Sequence, residues 1–300
     1  MSATTVPDRY AMLTGLGLCW HPSGQAGLRG PLLALAEDCD RAFQRLAGIW
    51  RAQEERHPAS LPAERLQRVD YLNSFPHQAT FPVRMDPGHL DGFLESEMLG
   101  EAGEVRLGRL APVSDVLTPA ACYHLFSSHQ DERLAAPLHL TTRNTCFRQE
   151  TAYVPLRRQW SFSMREIVCI GSAQESAAFL EKAATVLSAF LSAMELPAEF
   201  LPATDPFFRP LQNPKFLMQR LQPTKHEATY GGDLAIASLN LHHDHFGTAF
   251  GIVRDGRPAH TACLAFGVER WLYAITDRHG ADPSSWPCPG DAAETVRGSL

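Results

Sequence analysis

The chain has 300 residues, a formal net charge of −6 at pH 7 and 44% hydrophobic residues. This length and hydrophobic content suffice for a sizeable core, so the composition is that of an ordinary globular chain. The net negative charge excludes a global field that attracts nucleic acid, and any polyanion site must be a local basic patch.

The cysteines indicate a reducing compartment. The seven residues are scattered along the chain and include no Cys-x-x-Cys pair, so a disulfide framework is not expected. No apolar run approaches the roughly 18 residues that span a bilayer, and residues 1–9 lack the pattern of a secretory signal. We therefore expect a cytoplasmic protein without a membrane partner.

The first third of the chain predicts one long helix and one strand. Residues 1–30 are rich in glycine and polar residues, which indicates a loop-rich N-terminal segment. Pro31 suits a first helical turn, and apolar residues at spacings of three, four and seven extend the helical pattern to residue 55. Residues 69–75 have the composition of a strand, and residues 86–111 suggest a surface helix and turns.

Residues 141–168 predict a strand, a polar loop and a second strand. The first strand ends in Phe-Arg-x-Glu at residues 147–150, and the second carries Glu166 near its end. Arg148 suits an oxyanion in this context, because a guanidinium keeps its charge and forms bidentate hydrogen bonds. Residues 173–196 predict a strong helix with a core-facing apolar side, which Pro197 ends.

Residues 235–247 begin as a strand and end in a histidine-rich turn. His242, His243 and His245 with Asp244 suggest a metal site in isolation. Neighbouring strand residues face opposite sides, so His243 and His245 could converge while His242 could not. An independent histidine metal site is therefore the less favoured interpretation. Further on, residues 255–256 read Asp-Gly and predict a hairpin turn.

Residues 261–275 predict a strand, a tight junction at Gly267 and a helix. Arg270 falls at the start of that helix. Considered alone, Arg270 could simply point to water. Because Arg148 lies in a second motif-like stretch, we favour a role for Arg270 in binding a phosphate or stacking on a purine ring. Residues 278–300 have no periodic apolar pattern and predict an irregular C-terminal tail.

The pair of motifs, Phe-Arg-x-Glu ending at Glu150 and Gly-x-Glu-Arg ending at Arg270, resembles motifs 2 and 3 of class II aminoacyl-tRNA synthetases. The helix to residue 55 with the strand of residues 69–75 resembles motif 1, which builds the dimer interface in that family. A helix packed on its own sheet is an equally good interpretation of that segment. The resemblance implies an α+β fold, a class II aminoacyl-tRNA synthetase-like antiparallel sheet flanked by helices, in a single catalytic domain of residues 1–300 and in a homodimer.

One departure from the family pattern is informative. Residues 117–122 read Leu-Thr-Pro-Ala-Ala-Cys, where seryl-tRNA synthetases have a similar stretch with a Glu that helps to hold serine. The resemblance places Cys122, Glu166 and Cys263 at the pocket-facing ends of three strands. Two thiolates and a carboxylate are a competent zinc set that leaves a fourth position open. Without the resemblance, Cys122 and Cys263 are interpreted as buried core thiols.

Such a Cys, Glu, Cys zinc resembles that of the atypical, archaeal-type seryl-tRNA synthetases, and the shorter bacterial amino acid:[carrier protein] ligases are more similar still. The resemblance implies ATP-dependent activation of glycine or alanine, with magnesium, and transfer to the phosphopantetheine thiol of a carrier protein. It makes Arg148 and Arg270 catalytic, and Cys122, Glu166, Asn240 and Cys263 amino-acid-binding, with zinc on Cys122, Glu166 and Cys263. The implied ATP site comprises Arg148, Glu150, Arg157, Arg158, Phe162, Lys225, Ala235, Ile236, Ala237, Ser238 and Arg270.

Ser238 and Asn240 match the family's pocket strand, whereas Ala235 replaces a Glu and leaves the magnesium ligands open. Two other functions also remain open. A small synthetase that charges tRNA would keep the same residues, although the chain shows no basic arm, coiled coil or tRNA-binding domain. A non-catalytic paralogue acting as a binding or regulatory subunit would be expected to lose Arg148, Glu150 or Arg270, and all three are present.

Overall fold

The computed structural model describes residues 6–299, with side chains from residue 9 onward. Its helices are α1 Val6–Gly15, α2 Gly30–Ala47, α3 Ala63–Arg68, α4 Tyr71–Ser74, α5 Leu90–Leu94, α6 Cys122–Ser128, α7 Ala173–Ala193, α8 Pro214–Leu221, α9 His245–Phe250, α10 Val268–His279 and α11 Pro289–Gly298. Its strands are β1 Leu18–His21, β2 Gln25–Leu28, β3 Gln53–Glu54, β4 Ser60–Pro62, β5 Asp115–Leu117, β6 Arg133–Leu134, β7 Leu138–Phe147, β8 Ser161–Gly171, β9 Ala198–Ala203, β10 Lys225–Tyr230, β11 Leu234–His243, β12 Val253–Arg254, β13 Arg257–Pro258 and β14 His260–Gly267.

A seven-stranded sheet organises the described part of the chain, in the order β3-β7-β8-β14-β11-β10-β9. Each neighbouring pair is antiparallel except β3, which runs parallel to β7. The strands β8 and β14, which carry Glu166 and Cys263, are adjacent at the centre. This mostly antiparallel sheet with flanking helices confirms the predicted fold class.

The two faces of the sheet bury different cores, because successive strand residues point to opposite sides. Ile167 and Cys169 of β8 pack into the core that contains α2, α7, α10 and α11. Val168 and Ile170 pack into a second core that contains α6 and α9. The helices of the first core cover one face of the sheet, and the candidate site lies on the opposite face.

Helix α7 confirms the strongest helix prediction and ends at Ala193. Its first turn is closed by a capping box, in which the Ser172 hydroxyl accepts from the Glu175 amide at 3.2 Å. The Glu175 carboxylate accepts in return from the Ser172 amide at 2.7 Å. The arrangement satisfies two backbone donors that the helix itself leaves without partners.

Replacing the capping hydroxyl gives a testable effect on stability. Ser172→Ala is expected to lower the free energy of unfolding by about 1 kcal/mol, the usual cost of losing an N-cap. Ser188, exposed in the same helix, is the matched control. Ser188→Ala should leave stability unchanged or raise it slightly, since Ala is the better helix former. Equal urea midpoints for the two variants would show that the cap does not stabilise α7.

Both ends of the chain are more regular than predicted. The expected loop-rich N-terminal segment contains α1 and the β1–β2 hairpin, as far as residues 6–30 show it, and residues 1–5 lie outside the described residues. The expected irregular tail is also wrong, because α10 continues to His279 and α11 follows. Helix α11 buries Ala292, Ala293 and Val296. A helix face made mainly of alanine gives too weak an apolar period to be recognised in a sequence.

Three internal predictions also need correction. The long helix ends at Ala47 rather than residue 55, because a 3₁₀ turn follows and Arg51 has a left-handed backbone. Residues 69–75 do not form a strand: Asp70, with φ of 60°, separates α3 from the short helix α4. Cys122 is the first residue of helix α6, not the end of a strand. These segments are short, and short apolar runs fit either period.

Two further predictions are confirmed. The Asp-Gly turn connects β12 to β13, and residues 261–275 form strand β14, a junction at Gly267 and helix α10. Among residues 6–299, no helix combines the length and the apolar character needed to cross a membrane.

Candidate active site

Two adjoining cavities occupy the face of the sheet opposite the first core. The first is lined by all eleven residues predicted for ATP: Arg148, Glu150, Arg157, Arg158, Phe162, Lys225, Ala235, Ile236, Ala237, Ser238 and Arg270. The second, of about 520 Å³, is lined by all four residues predicted for the amino acid: Cys122, Glu166, Asn240 and Cys263. Arg148 and Lys225 line both cavities, so they stand where two ligands would meet.

Arg270 is fixed by the elements on either side of it. Its Nε donates to the Arg157 carbonyl and its Nη1 to the Ala235 carbonyl, both at 2.9 Å. Helix α10 is itself tied to the sheet, because Glu269 accepts from the Ser163 amide with both carboxylate oxygens at 2.9 Å. Glu269 is a positioning residue that the sequence motif contained without showing its role.

The first cavity is rich in positive charge. Burial lowers the pKa of Arg270, and the Arg148 and Arg158 cations lower it further, against the opposing effect of Glu227 and Glu150. A bound polyanion would reduce the electrostatic repulsion between cations that are held close together. The cavity is therefore electrostatically suited to a phosphate chain.

Arg148 follows the last residue of β7 and points across the site. Its Nε donates to the Pro119 carbonyl at 2.9 Å, and its guanidinium lies 5.2 Å from the Phe162 ring centroid. One edge of the guanidinium is thus held by the segment that leads into α6. Its remaining donors are directed by two elements, which fixes where an oxyanion would bind.

Lys225 lies at the boundary between the two cavities, where its ammonium group contacts two carboxylates. Its Nζ lies 3.0 Å from Asp205 Oδ1 and 3.1 Å from Glu227 Oε1. Burial alone lowers the pKa of Lys225, but the two carboxylates raise it above its ordinary value. Asp205 also accepts from Gln219 Nε2 of α8 at 2.9 Å. The ammonium therefore keeps its charge at the boundary between the cavities.

Cys122, Glu166 and Cys263 meet in the second cavity, although they come from a helix and two strands. Glu166 Oε1 accepts from the amides of Ala121 and Cys122 at 3.0 and 3.1 Å, which holds the start of α6 against β8. A hydrogen bond with Cys263, burial and the Glu166 charge raise the pKa of Cys122 well above its ordinary value. Both thiols are buried.

The donor chemistry of these three groups fits a soft dication, but their arrangement is not that of a formed metal centre. Within residues 6–299, no group of three or more His, Cys, Asp or Glu side chains is disposed to hold a metal ion. Glu166 is 1% exposed, its carboxylate accepts from two backbone amides, and it forms no ion pair with any residue of the described part of the chain. A buried carboxylate without a cationic partner is costly, and a dication beside two thiols would compensate its charge.

Asn240 and His242 bring β11 into the same cavity. Asn240 Nδ2 lies 3.3 Å from Cys263 Sγ and 3.1 Å from Ser238 Oγ. His242 Nε2 lies 3.7 Å from the same sulfur, and its Nδ1 lies 3.1 Å from Thr261 Oγ1. Burial lowers the pKa of His242 to about 4, so the imidazole is neutral.

The expected facing of the histidines is therefore wrong. His242 shares its face with Ser238 and Asn240, as a period of two requires, and it is the histidine beside Cys263. His243 follows a register shift in β11 and has a left-handed backbone, and His245 belongs to helix α9. The period that placed Ser238 and Asn240 could have placed His242 as well.

Two tyrosines form an aromatic wall that the sequence did not reveal. Tyr71 of α4 and Tyr123 of α6 line the second cavity and contact each other edge-to-face, with ring centroids 5.6 Å apart. Tyr123 makes a second edge-to-face contact with Phe246 at 5.7 Å. The Tyr71 hydroxyl is buried and has no hydrogen-bond partner among the described residues, and burial raises its pKa to about 12. Both tyrosines lie on helices, in segments where a strand (residues 69–75) or the end of a strand (Cys122) was predicted.

The fold is that of class II aminoacyl-tRNA synthetase catalytic domains. The chain superimposes on M. kandleri seryl-tRNA synthetase, solved with A. aeolicus tRNASec, with a TM-score of 0.78 and 22% identity over 97% of this chain. Seryl-tRNA synthetase from Pyrococcus horikoshii, solved with ATP, gives a TM-score of 0.69 at 15% identity over 96% of this chain. The chain spans 60% and 62% of those two longer chains.

Sequence comparison identifies the family within this structural class. Amino acid--[acyl-carrier-protein] ligase 2 of Bradyrhizobium diazoefficiens is 34% identical over 89% of this chain and 83% of that protein. Ligase 1 of the same organism is 31% identical over 81% of this chain and 78% of that protein. The type-2 serine--tRNA ligase of Methanopyrus kandleri is 27% identical, and the match spans 49% of its length. No protein-family model matches. The chain belongs to the amino acid--[acyl-carrier-protein] ligase family.

Proposed function

We propose that the protein activates a small amino acid, glycine or alanine, with ATP and magnesium, and transfers it to the phosphopantetheine thiol of a carrier protein. The observation that carries this proposal is the position of Arg148, which lines both cavities at their junction. A guanidinium at that point can bind the amino acid carboxylate and the α-phosphate together. Family membership supports the carrier protein as acceptor.

In the first half-reaction, an oxygen of the amino acid carboxylate attacks the α-phosphorus of ATP. The bond to the bridging oxygen of the β-phosphate breaks, and pyrophosphate leaves. No protein nucleophile is required, because fixed positive charge and in-line placement lower the barrier. Arg148 stabilises the charge that develops on the α-phosphoryl oxygens.

The remaining residues of the first cavity bind the nucleotide. Phe162 and Arg270 enclose the adenine ring from two sides, since an aromatic face and a guanidinium plane both stack on a purine. Glu150 accepts from the adenine amino group. Lys225 and one of the adjacent arginines, Arg157 or Arg158, bind the outer phosphates.

In the second half-reaction, the thiol of the carrier protein attacks the carbonyl carbon of the adenylate. The mixed anhydride breaks, AMP leaves, and a thioester forms. We propose that zinc on Cys122, Glu166 and Cys263 belongs to the amino acid site. When bound there, zinc supplies an open coordination position for the amino group of the substrate. Asn240 and the neutral His242 surround the sulfur of Cys263 and keep its orientation.

We also propose that the protein is a homodimer that uses α2 and β3. The strand β3 lies at one edge of the sheet, next to β7, and follows directly on the helix of the motif 1-like segment. Size-exclusion chromatography with light scattering measures the oligomeric state. A monomer at micromolar concentration would contradict this part of the proposal.

Pyrophosphate exchange tests the activation step. We expect incorporation of radiolabelled pyrophosphate into ATP only when a small amino acid is present. A second incubation with a phosphopantetheinylated carrier protein should yield the aminoacyl thioester, and the same carrier without its prosthetic group should yield none. Charging of tRNA instead of the carrier would support a seryl-tRNA synthetase-like enzyme, and the absence of exchange with any amino acid would support a non-catalytic paralogue.

Substrate size gives a further prediction. The cavity is large as a whole, but Tyr123 and Glu166 line it together with Cys122 and Cys263, and we propose that an amino group held beside the two thiols directs the side chain toward Tyr123 and Glu166. Glycine or alanine is expected to be preferred in exchange assays over valine or larger amino acids. One methylene discriminates by about 1–3 kcal/mol, so weak activation of serine is compatible with this result.

A pair of variants tests the aromatic wall behind this preference. Tyr123→Ala should reduce the preference for glycine over valine, because it removes the ring. Tyr123→Phe is the matched control and should keep the preference, because it keeps the ring and removes the hydroxyl alone. A wild-type enzyme that prefers large aromatic or basic amino acids would overturn this substrate assignment.

A further inference from the structure

The guanidinium of Arg157 is engaged by two elements outside the loop that carries it. Arg157 lies between β7 and β8, and its Nη2 lies 2.7 Å from both carboxylate oxygens of Asp233. Its Nη1 donates to the Tyr273 hydroxyl at 3.1 Å. Asp233 belongs to the turn between β10 and β11, and Tyr273 belongs to α10. One side chain therefore joins three segments that surround the first cavity.

Tyr273 is held from a further element as well. The Arg157 guanidinium carbon lies 4.8 Å from the centroid of the Tyr273 ring, and that of Arg9 lies 5.0 Å from the same centroid. Arg9 also forms an ion pair with Asp277 of α10. Helix α1 thus contributes to a cation–π cluster around Tyr273, in which two guanidinium groups are attracted to one ring.

The backbone of Arg157 transmits this anchoring to the candidate catalytic residue. Its carbonyl oxygen accepts from Arg270 Nε at 2.9 Å, while Arg270 Nη1 donates to Ala235. The orientation of the Arg270 plane therefore depends on where the loop is held. Three of the hydrogen bonds that Arg157 can donate are already directed to Asp233 and Tyr273, neither of which lines the first cavity.

We propose that Arg157 is a positioning residue, which latches the β7–β8 loop to Asp233 and Tyr273 and thereby orients Arg270 for the purine ring. Arg158 is then the arginine of the pair that contacts the outer phosphates. The inference rests on the proposed function, because Arg270 receives its role there. It differs from the assignment by resemblance, which left Arg157 and Arg158 equivalent.

Asp233 distinguishes a latch from a phosphate ligand, because its side chain is 72% exposed and lines neither cavity. If Arg157 is a latch, Asp233→Ala should raise the KM for ATP by about twofold to fivefold, the upper part of the range expected from the loss of one exposed ion pair. The KM for the amino acid should change less than twofold. If Arg157 instead binds phosphate, Asp233→Ala frees its guanidinium, and the KM for ATP should stay constant or fall. That result would overturn the proposal.

Three variants complete the kinetic test. Glu97→Ala is the matched control, because Glu97 pairs with Arg106 at 2.8 Å, is 78% exposed and lines neither cavity. It should leave every kinetic constant unchanged. Asp233→Glu should restore most of the ATP affinity lost in Asp233→Ala, since it keeps a carboxylate. Arg157→Ala with Asp233→Ala should be no worse than Arg157→Ala alone, whereas additive losses would contradict a shared latch.

Limited trypsin digestion gives a readout that does not require the proposed reaction. Release of the loop exposes the peptide bonds after Arg157 and Arg158, which mass spectrometry identifies from the new peptide ends. Asp233→Ala should accelerate cleavage at these two bonds severalfold relative to Glu97→Ala. Equal cleavage in both variants would overturn the latch. Faster cleavage together with no pyrophosphate exchange in the wild-type protein would support the latch and contradict the proposed function alone.

Discussion

Arg148→Ala and Arg270→Ala are each expected to lower amino-acid-dependent pyrophosphate exchange by roughly thirtyfold to a thousandfold. Each variant removes a charged donor from a site where negative charge develops or a purine is held. The loss of such a contact costs about 2–4 kcal/mol in the transition state, and about 1.4 kcal/mol corresponds to a factor of ten in rate. Initial rates at saturating ATP and amino acid provide the measurement.

The control for this pair must separate chemistry from folding. Arg148 and Arg270 both donate to main-chain carbonyls, so thermal unfolding of each variant has to be followed alongside its activity. Arg106→Ala removes an exposed arginine that pairs with Glu97 outside both cavities, and its exchange rate should equal that of the wild type. Near-wild-type exchange in Arg148→Ala or Arg270→Ala would refute the assigned roles.

Cys263→Ser is expected to lower the zinc content of the purified protein and to raise the KM for the amino acid much more than the KM for ATP. Cys263 lines the second cavity and not the first, so its effect should be confined to the amino acid. Loss of an outer-shell partner already costs roughly 10–100-fold in metal affinity, and loss of a ligand should cost at least as much. Elemental analysis and steady-state kinetics measure the two effects.

Cys288→Ser is the matched control, because Cys288 is an exposed free thiol in a different part of the fold. It should retain both the zinc content and the kinetic constants of the wild type. Wild-type protein without zinc after purification in metal-replete medium would contradict the zinc proposal. Cys122 and Cys263 would then be ordinary buried thiols, while the roles of Arg148 and Arg270 would stand on their own test.

The strands that carry the site residues could be predicted from the sequence. Strands β7, β8, β11 and β14 have clear apolar patterns, and period two along them fixes which side chains share a face. The period alone did not bring Glu166, Asn240 and Cys263 together with Arg148; the resemblance to class II synthetases implied that. His242 follows Asn240 by two residues, so the same period predicts that both side chains lie on one face of β11.

The helical form of the segments beside the candidate site could not be predicted from local sequence. Residues 69–75 and 120–128 are short, and their helical form depends on packing against β8 and α9 rather than on propensity. For this reason the tyrosine wall of Tyr71 and Tyr123 did not emerge from the sequence. Helix α11 was also missed, since its buried face consists mainly of alanine and gains stability only from contact with its neighbours.

Residue chemistry and short-range periodicity predicted the main strands and the two arginine motifs, because both are local properties of the chain, and the resemblance that those motifs carry predicted the class of fold. Tertiary structure alone decided that Arg157 bonds to Asp233 and Tyr273, 76 and 116 residues away along the chain. It also decided that Glu166 holds the amides at the start of α6. Partners so distant in sequence leave no local pattern, since their contact arises only when separate elements pack on one sheet.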